Sequence, residues 1–130
     1  MRAQQVTSTM INYFQEIRKQ YDKYVDDIKY HDKVHVDLSH ALELLNFNAS
    51  GGYKLAKEFQ DNLKKRREAK DLLQEIEPLY QLFKRNDRFL KEIKTVNTDV
   101  MKINQSQKNR KYRVRARTDM QEAFDKANMR

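Results

Sequence analysis

The chain has 130 residues with two Gly, one Pro, no Cys and no Trp; 35% of it is charged, 38% apolar, and the formal net charge is +8. So few Gly and Pro cannot punctuate a many-stranded sandwich or barrel, or a phosphate-cradling α/β fold, which need turn residues about every ten positions. Without cysteine there is no disulfide framework, thiolate nucleophile or Cys-type zinc site, and what remains is an all-α protein of long, solvent-bathed helices sharing a narrow seam. No apolar run of signal-peptide length opens the chain and nowhere do 18 apolar residues follow one another, so a cytoplasmic protein with no membrane contact is expected.

From Met10 the apolar positions step by fours and threes through Phe14, Ile17, Tyr21, Tyr24, Ile28, His31, His35, Leu38, Leu42 and Leu45. A mean spacing of 3.5 keeps one stripe facing a partner helix, so the segment reads as a single coiled-coil-like helix of ~55 to 58 Å. Thr7, Ser8 or Thr9 is placed to cap its start, and Asn46, Asn48, Ser50, Gly51 and Gly52 to turn the chain.

A second helical pattern runs from near Tyr53 through Ala56, Phe59, Leu63, Leu73, Ile76, Tyr80, Phe83, Leu90, Ile93, Val100 and Ile103. Pro78 should kink or break it, since proline removes a backbone donor and clashes with the preceding turn. A loop of about six residues makes the two patterns antiparallel neighbours, an elongated helical hairpin. Arg66, Asn86 and Asp87 interrupt the second stripe, so they should face solvent, a carboxylate on the first helix or a partner. Apolar residues beside the stripes, among them Leu72, Leu79, Leu82, Phe89 and Val96, suggest self-association, with a homodimer expected.

The charge is lopsided. Between Lys102 and Thr118 stand Lys102, Lys108, Arg110, Lys111, Arg113, Arg115 and Arg117 with no acid at all. The Lys54 to Lys70 stretch has seven cations, including Lys64, Lys65, Arg66 and Arg67, against three acids, whereas Ser8 to Asn46 is slightly acidic. A polar linker, residues 104–109, leads into Tyr112, Val114 and Ala116 alternating with Arg113, Arg115 and Arg117. Period two describes an extended arm with arginines on one face. Thr118 and Gln121 then resemble a capping box for a short helix to about Asn128. Two regions are thus expected, a long hairpin over 1–106 and a basic arm with a short helix over 107–130.

No catalytic set is recognisable. Asp26 and Asp27 are adjacent and do not converge, and Ser39 and His40 diverge by about 100° around a helix. His31 and His35 share a face, but two histidines without Cys or a third ligand make no metal site. As seam residues they read as a structural polar layer that sets helix register; if it is buried neutral, acid should loosen the bundle. His40 and Glu43 are spaced to pair off the stripe.

The stretch Asp37 to Leu44, then Tyr53-Lys54-Leu55, then Lys65 to Asp71 resembles small helical proteins of bacteriophages and prophages of Gram-positive bacteria. That resemblance implies a cytoplasmic phage-borne helical protein of the host cell, an anti-defence or host-takeover factor, and transfers no catalytic residue and no ligand. The expected function is a non-catalytic interaction protein that binds nucleic acid or a nucleic-acid-handling complex, for example a CRISPR effector inhibited by an anti-CRISPR protein. It needs no cofactor, metal or small-molecule substrate. Contacts are assigned to Lys64, Lys65, Arg66, Arg67, Lys108, Arg110, Lys111, Tyr112, Arg113, Arg115 and Arg117, the aromatic ring being able to stack on an unpaired base. The alternative is a coiled-coil scaffold or assembly protein that binds another protein.

Overall fold

The four-three stripe winds into one unbroken helix, α1 (Ala3–Leu44), about 63 Å long at 1.5 Å per residue. A computed structural model describes residues 2–129. After α1 come α2 (Ala49–Arg85), α3 (Asp87–Lys108), a 3-10 turn at Thr118–Met120 and α4 (Gln121–Asn128). Both α2 and α3 pack along α1. The pairing is antiparallel throughout: Arg66 meets Asp32, Tyr80 meets Tyr21, Phe83 meets Phe14 and Asn97 meets Thr7, so numbers rise on one leg as they fall on the other. The protein is an all-α hairpin of two rods, one continuous and one in two pieces. No helix is long and apolar enough to cross a membrane.

Its ends differ from the expected ones for local reasons. α1 starts before the threonines, with the Arg2 backbone N–H donating to Gln5 Oε1 at 3.0 Å. Thr7 lies instead in the seam, buried, its Oγ1 2.6 Å from Asn97 Oδ1. The connection spans only residues 45–48, and α2 begins at Ala49 rather than near Tyr53, because Asn48 Oδ1 accepts the Gly51 N–H at 2.8 Å and caps the helix. Gly51 and Gly52 are therefore helical, and neither has positive φ. What they provide is room: a Cβ on either would sit 3.2 Å from the Phe47 side chain, which folds over this first turn.

The second leg carries Pro78 inside α2, and the break falls eight residues later, at Asn86. Proline removes one helical hydrogen bond, but Ile76 and Tyr80 on either side are held against α1. At Asn86 the side-chain amide donates to the Leu82 carbonyl at 2.8 Å while its backbone N–H reaches Leu82 and Phe83, a local competition of the kind that ends helices. Asp87 then opens α3 with negative charge at its positive pole.

The seam of α2 follows the heptad more strictly than its apolar residues do. From Phe59 it proceeds through Asn62, Arg66 and Ala69 to Leu73, leaving Ala56 and Leu63 exposed. Each polar intruder is satisfied by α1. Asn62 Oδ1 lies 2.8 Å from His31 Nδ1 and its Nδ2 donates to the His31 carbonyl at 3.0 Å, so the imidazole proton sits on Nδ1. Arg66 Nε donates to Asp32 Oδ1, the carboxylate among its three possible destinations. That is the only ion pair joining the two legs among the described residues.

Between the polar layers the rods touch through aromatic stacks, Phe14 on Phe83 at 4.1 Å and Tyr21 on Tyr80 at 3.7 Å between ring centroids. Such pairs add about 0.5–1.5 kcal/mol beyond their burial. The core is thin. Its buried apolar members, Leu38, Ala69, Ile76 and Ile93, retain 5–9% exposure, and no large side chain is completely enclosed.

Partial burial raises the Tyr21 pKa above 10.0, and the Glu77 carboxylate, which accepts its hydrogen bond, pushes the same way. A raised folded-state value stabilises the hairpin below the unfolded pKa, and that contribution is lost as pH rises through the folded one. The wild type should therefore lose more thermal stability than Tyr21→Phe as pH climbs past 10.0; equal losses would exonerate Tyr21. Asn62→Ala strands both His31 partners in the seam and should cost about 1–3 kcal/mol in urea unfolding.

Candidate nucleic-acid interface

α3 ends on Lys108, with Asn109 as its C-cap, and leaves the hairpin at its open end, where Asn104 Nδ2 donates to Gln4 Oε1 at 3.0 Å. Residues 110–117 are neither helix nor strand. They fold back on α4: the Tyr112 N–H donates to Asn128 Oδ1 at 3.3 Å, Asn128 Nδ2 donates to the Tyr112 carbonyl at 3.0 Å, and the Tyr112 ring packs on Phe124 at 4.9 Å. Val114 is half-buried, but Tyr112 and Ala116 are exposed along with Arg113 and Arg115, so the alternation expected of the arm is not kept. Asn128 supplies the backbone partners a sheet would have supplied.

Among the cations, Arg117 alone is matched. It grips Asp119 with two hydrogen bonds of 2.9 and 2.7 Å, which raise the Arg117 pKa and lower that of Asp119. Lys102, Lys108, Arg110, Lys111, Arg113 and Arg115 are all exposed and form no ion pair among the described residues. Of these, Lys108 lines an open cleft of about 750 Å³ together with Arg2, Gln4, Gln5, Ser8, Thr9, Asn104 and Gln107. Two cations, six amides or hydroxyls of α1 and α3 and no carboxylate give it hydrogen-bond capacity under a positive potential.

The Lys64 to Arg67 run is elsewhere. Lys64, Lys65 and Arg67 point outward from α2, while Arg66 turns into the seam toward Asp32. The Asp32 layer and the Gln4 layer are about 42 Å apart along α1, so the structure does not bring the two basic blocks together. His31 belongs to the Asn62 layer, and His35 stands edge-on to Phe59 at 5.5 Å and is exposed. His40 Nδ1 and Glu43 Oε2, both exposed, are 3.9 Å apart, beyond hydrogen-bonding reach. The Ser39 hydroxyl donates to the His35 carbonyl at 2.8 Å and points away from His40's chemistry.

Sequence reasoning passed over Arg2, Gln4 and Asn104, which build the cleft. Extending the first stripe back from Met10 by a three and a four reaches Thr7 and Ala3, and the second stripe already ends at Ile103, so Gln4 and Asn104 lie one residue beyond positions the spacing marks. No family model, curated protein or solved structure matches the chain.

Beyond turn bonds at Asn109 and Arg110, no hydrogen bond or ion pair among the described residues ties residues 110–129 to the hairpin. Tyr112→Ala should therefore strip hydrogen-exchange protection from α4 and leave the thermal midpoint of the hairpin unchanged. A joint loss would show one cooperative unit.

Proposed function

We propose that the chain is a non-catalytic binding protein that grips a polyanion, either nucleic acid or a nucleoprotein complex, through the basic segment at the open end of its hairpin. The observation that carries this reading is the set of exposed cations from Lys102 to Arg115 with no carboxylate partner among the described residues. Exposed charges of one sign draw phosphates by releasing counterions, and five or six of them make affinity steeply salt-dependent. Lys108, Arg110, Lys111, Arg113 and Arg115 supply phosphate contacts, and Arg2 with the amides of the cleft meets the adjoining sugar or base edges. Tyr112 lends one face of its ring at most, since the other rests on Phe124. Lys64, Lys65 and Arg67 lie several Debye lengths away at physiological salt, so they act only on a ligand that runs along the rod. On the phage-type resemblance, the concrete form is an anti-defence inhibitor acting in the host cytoplasm on a nuclease complex.

The second reading, an assembly protein that works as a homodimer or docks on another protein, is favoured by a separate observation: many large apolar side chains stay uncovered along both legs.

Fluorescence anisotropy with labelled single-stranded and duplex oligonucleotides, titrated from about 50 to 300 mM salt, separates them. The combined variant Arg110→Ala, Lys111→Ala, Arg113→Ala and Arg115→Ala should weaken binding and lower the log–log salt slope by about 0.9 per lost contact on duplex. Binding equal to wild type would remove the arm from the site.

A further inference from the structure

We infer that two copies of this chain pair through one flank of the hairpin, in opposite directions, to form a four-helix bundle. The inference deepens the assembly reading; the pairing face lies outside the arm, whose charge enters only in setting the direction.

The flank is built by a second seven-residue repeat. Phe89, Val96 and Ile103 lie at every seventh position of α3, each immediately before a seam residue, and are 48, 49 and 55% exposed. Val6 and Tyr13 hold the same relation to α1 and are 40 and 64% exposed. Antiparallel pairing brings these repeats to one side: Tyr13 and Phe89 line a common groove with Met10, Phe14, Leu82 and Phe83, and the Thr7–Asn97 contact sets Val6 beside Val96. Residues just after the seam, on the other flank of the second leg, include Lys70, Glu77, Lys84 and Lys94, together with the exposed Leu63 and Met101. On α3 the first flank carries three large apolar side chains, whereas the second carries Lys94 and Met101. An apolar repeat of seven beside a filled seam is the pattern a helix shows when it has a second helical neighbour.

Area points to how large that neighbour is. The chain exposes 10,910 Å², whereas a compact monomer of its mass exposes about 7,300 Å². A tight homodimer removes about 1,000–2,500 Å² from each protomer, which this surplus accommodates. A second copy suits the strip because it brings an apolar strip of equal length, and a twofold axis between Phe89 and Val96 lays each strip on the other. The direction follows from charge. Seven cations stand between Lys102 and Arg117 without an acid, so parallel copies would crowd two such segments together, and opposed copies send them to opposite ends. The dimer then presents two grips on one particle, which raises avidity for a long polyanion.

Sedimentation equilibrium between about 5 and 200 μM should give twice the 15.7 kDa chain mass. The double variant Phe89→Glu and Val96→Glu should sediment as one chain with its helical circular dichroism intact, while Tyr53→Glu, at a 72% exposed site near the turn, stays dimeric. A single-chain mass for the wild type, or a dimer that survives the double variant, would overturn the pairing. The chain has no cysteine, so Ser106→Cys accepts one spin label in an otherwise native protein. Opposed copies place the labels about 40 Å apart by helix rise. A separation under about 20 Å would overturn the opposed arrangement. Loss of oligonucleotide binding in the arm variant, with the dimer mass retained, would keep the two proposals distinct.

Discussion

A two-rod particle has a single line of contact, and that constraint governs the rest of this structure. Each seam residue sees one partner rod on one side and water on the others, so even the best buried, Ala69 and Ile93, keep 5–6% exposure. Apolar burial on such a line is worth about 25 cal/mol per Å² and the area is small. The molecule compensates with features that depend on geometry rather than volume: stacked rings at Phe14–Phe83 and Tyr21–Tyr80, and polar layers at Thr7–Asn97 and His31–Asn62. A slip of one heptad would leave Asn62 and Asn97 against apolar neighbours. Register is thereby defined by what must not be mismatched, as polar seam residues do in coiled coils.

The same constraint separates structure from function. Because the hairpin is held by its seam, the residues 110–129 need not contribute to it, and they close on themselves through Tyr112, Phe124 and Asn128. Cations accumulated there carry no structural cost in the rods. In contrast, the Lys64 to Arg67 run sits on a load-carrying helix, and one of its members, Arg66, is drawn into the fold by Asp32. Two basic clusters that look alike in composition therefore differ in kind.

Much of the architecture was legible in the sequence. The four-three stripe from Met10 to Leu38, the scarcity of Gly and Pro and the short connection together describe a helical hairpin, and the alternating arm describes a segment outside it. What was not legible has a physical cause in each case. Reading apolar residues as the seam put Ala56 and Leu63 inward, but the heptad held through Asn62 and Arg66 because α1 offered His31 and Asp32 as partners, information that lies 31 and 34 residues away. Gly51 and Gly52 suggested a left-handed turn, and their actual use is steric, beneath Phe47. Pro78 was the obvious breaker, yet packing on both sides outweighed it, and the inconspicuous Asn86 ended the helix through its own side chain. The basic residues of the arm were visible as charge; the cleft of Arg2, Gln4 and Asn104 was not, since it exists only where the ends of two distant helices meet.

The interruption at Asn86 has a mechanical consequence. Anything that grips the arm and pulls delivers its tension to α3 at the terminus farthest from the turn, so the rods would part by unzipping from one end rather than by sliding. The Gln4–Asn104 and Thr7–Asn97 contacts would yield one after another. The fracture would then reach Asn86, the joint between α2 and α3, with the Phe14–Phe83 and Tyr21–Tyr80 stacks standing beyond it. Under such tension the parting would be confined to the last third of the second leg, and the turn-proximal portion would keep its grip.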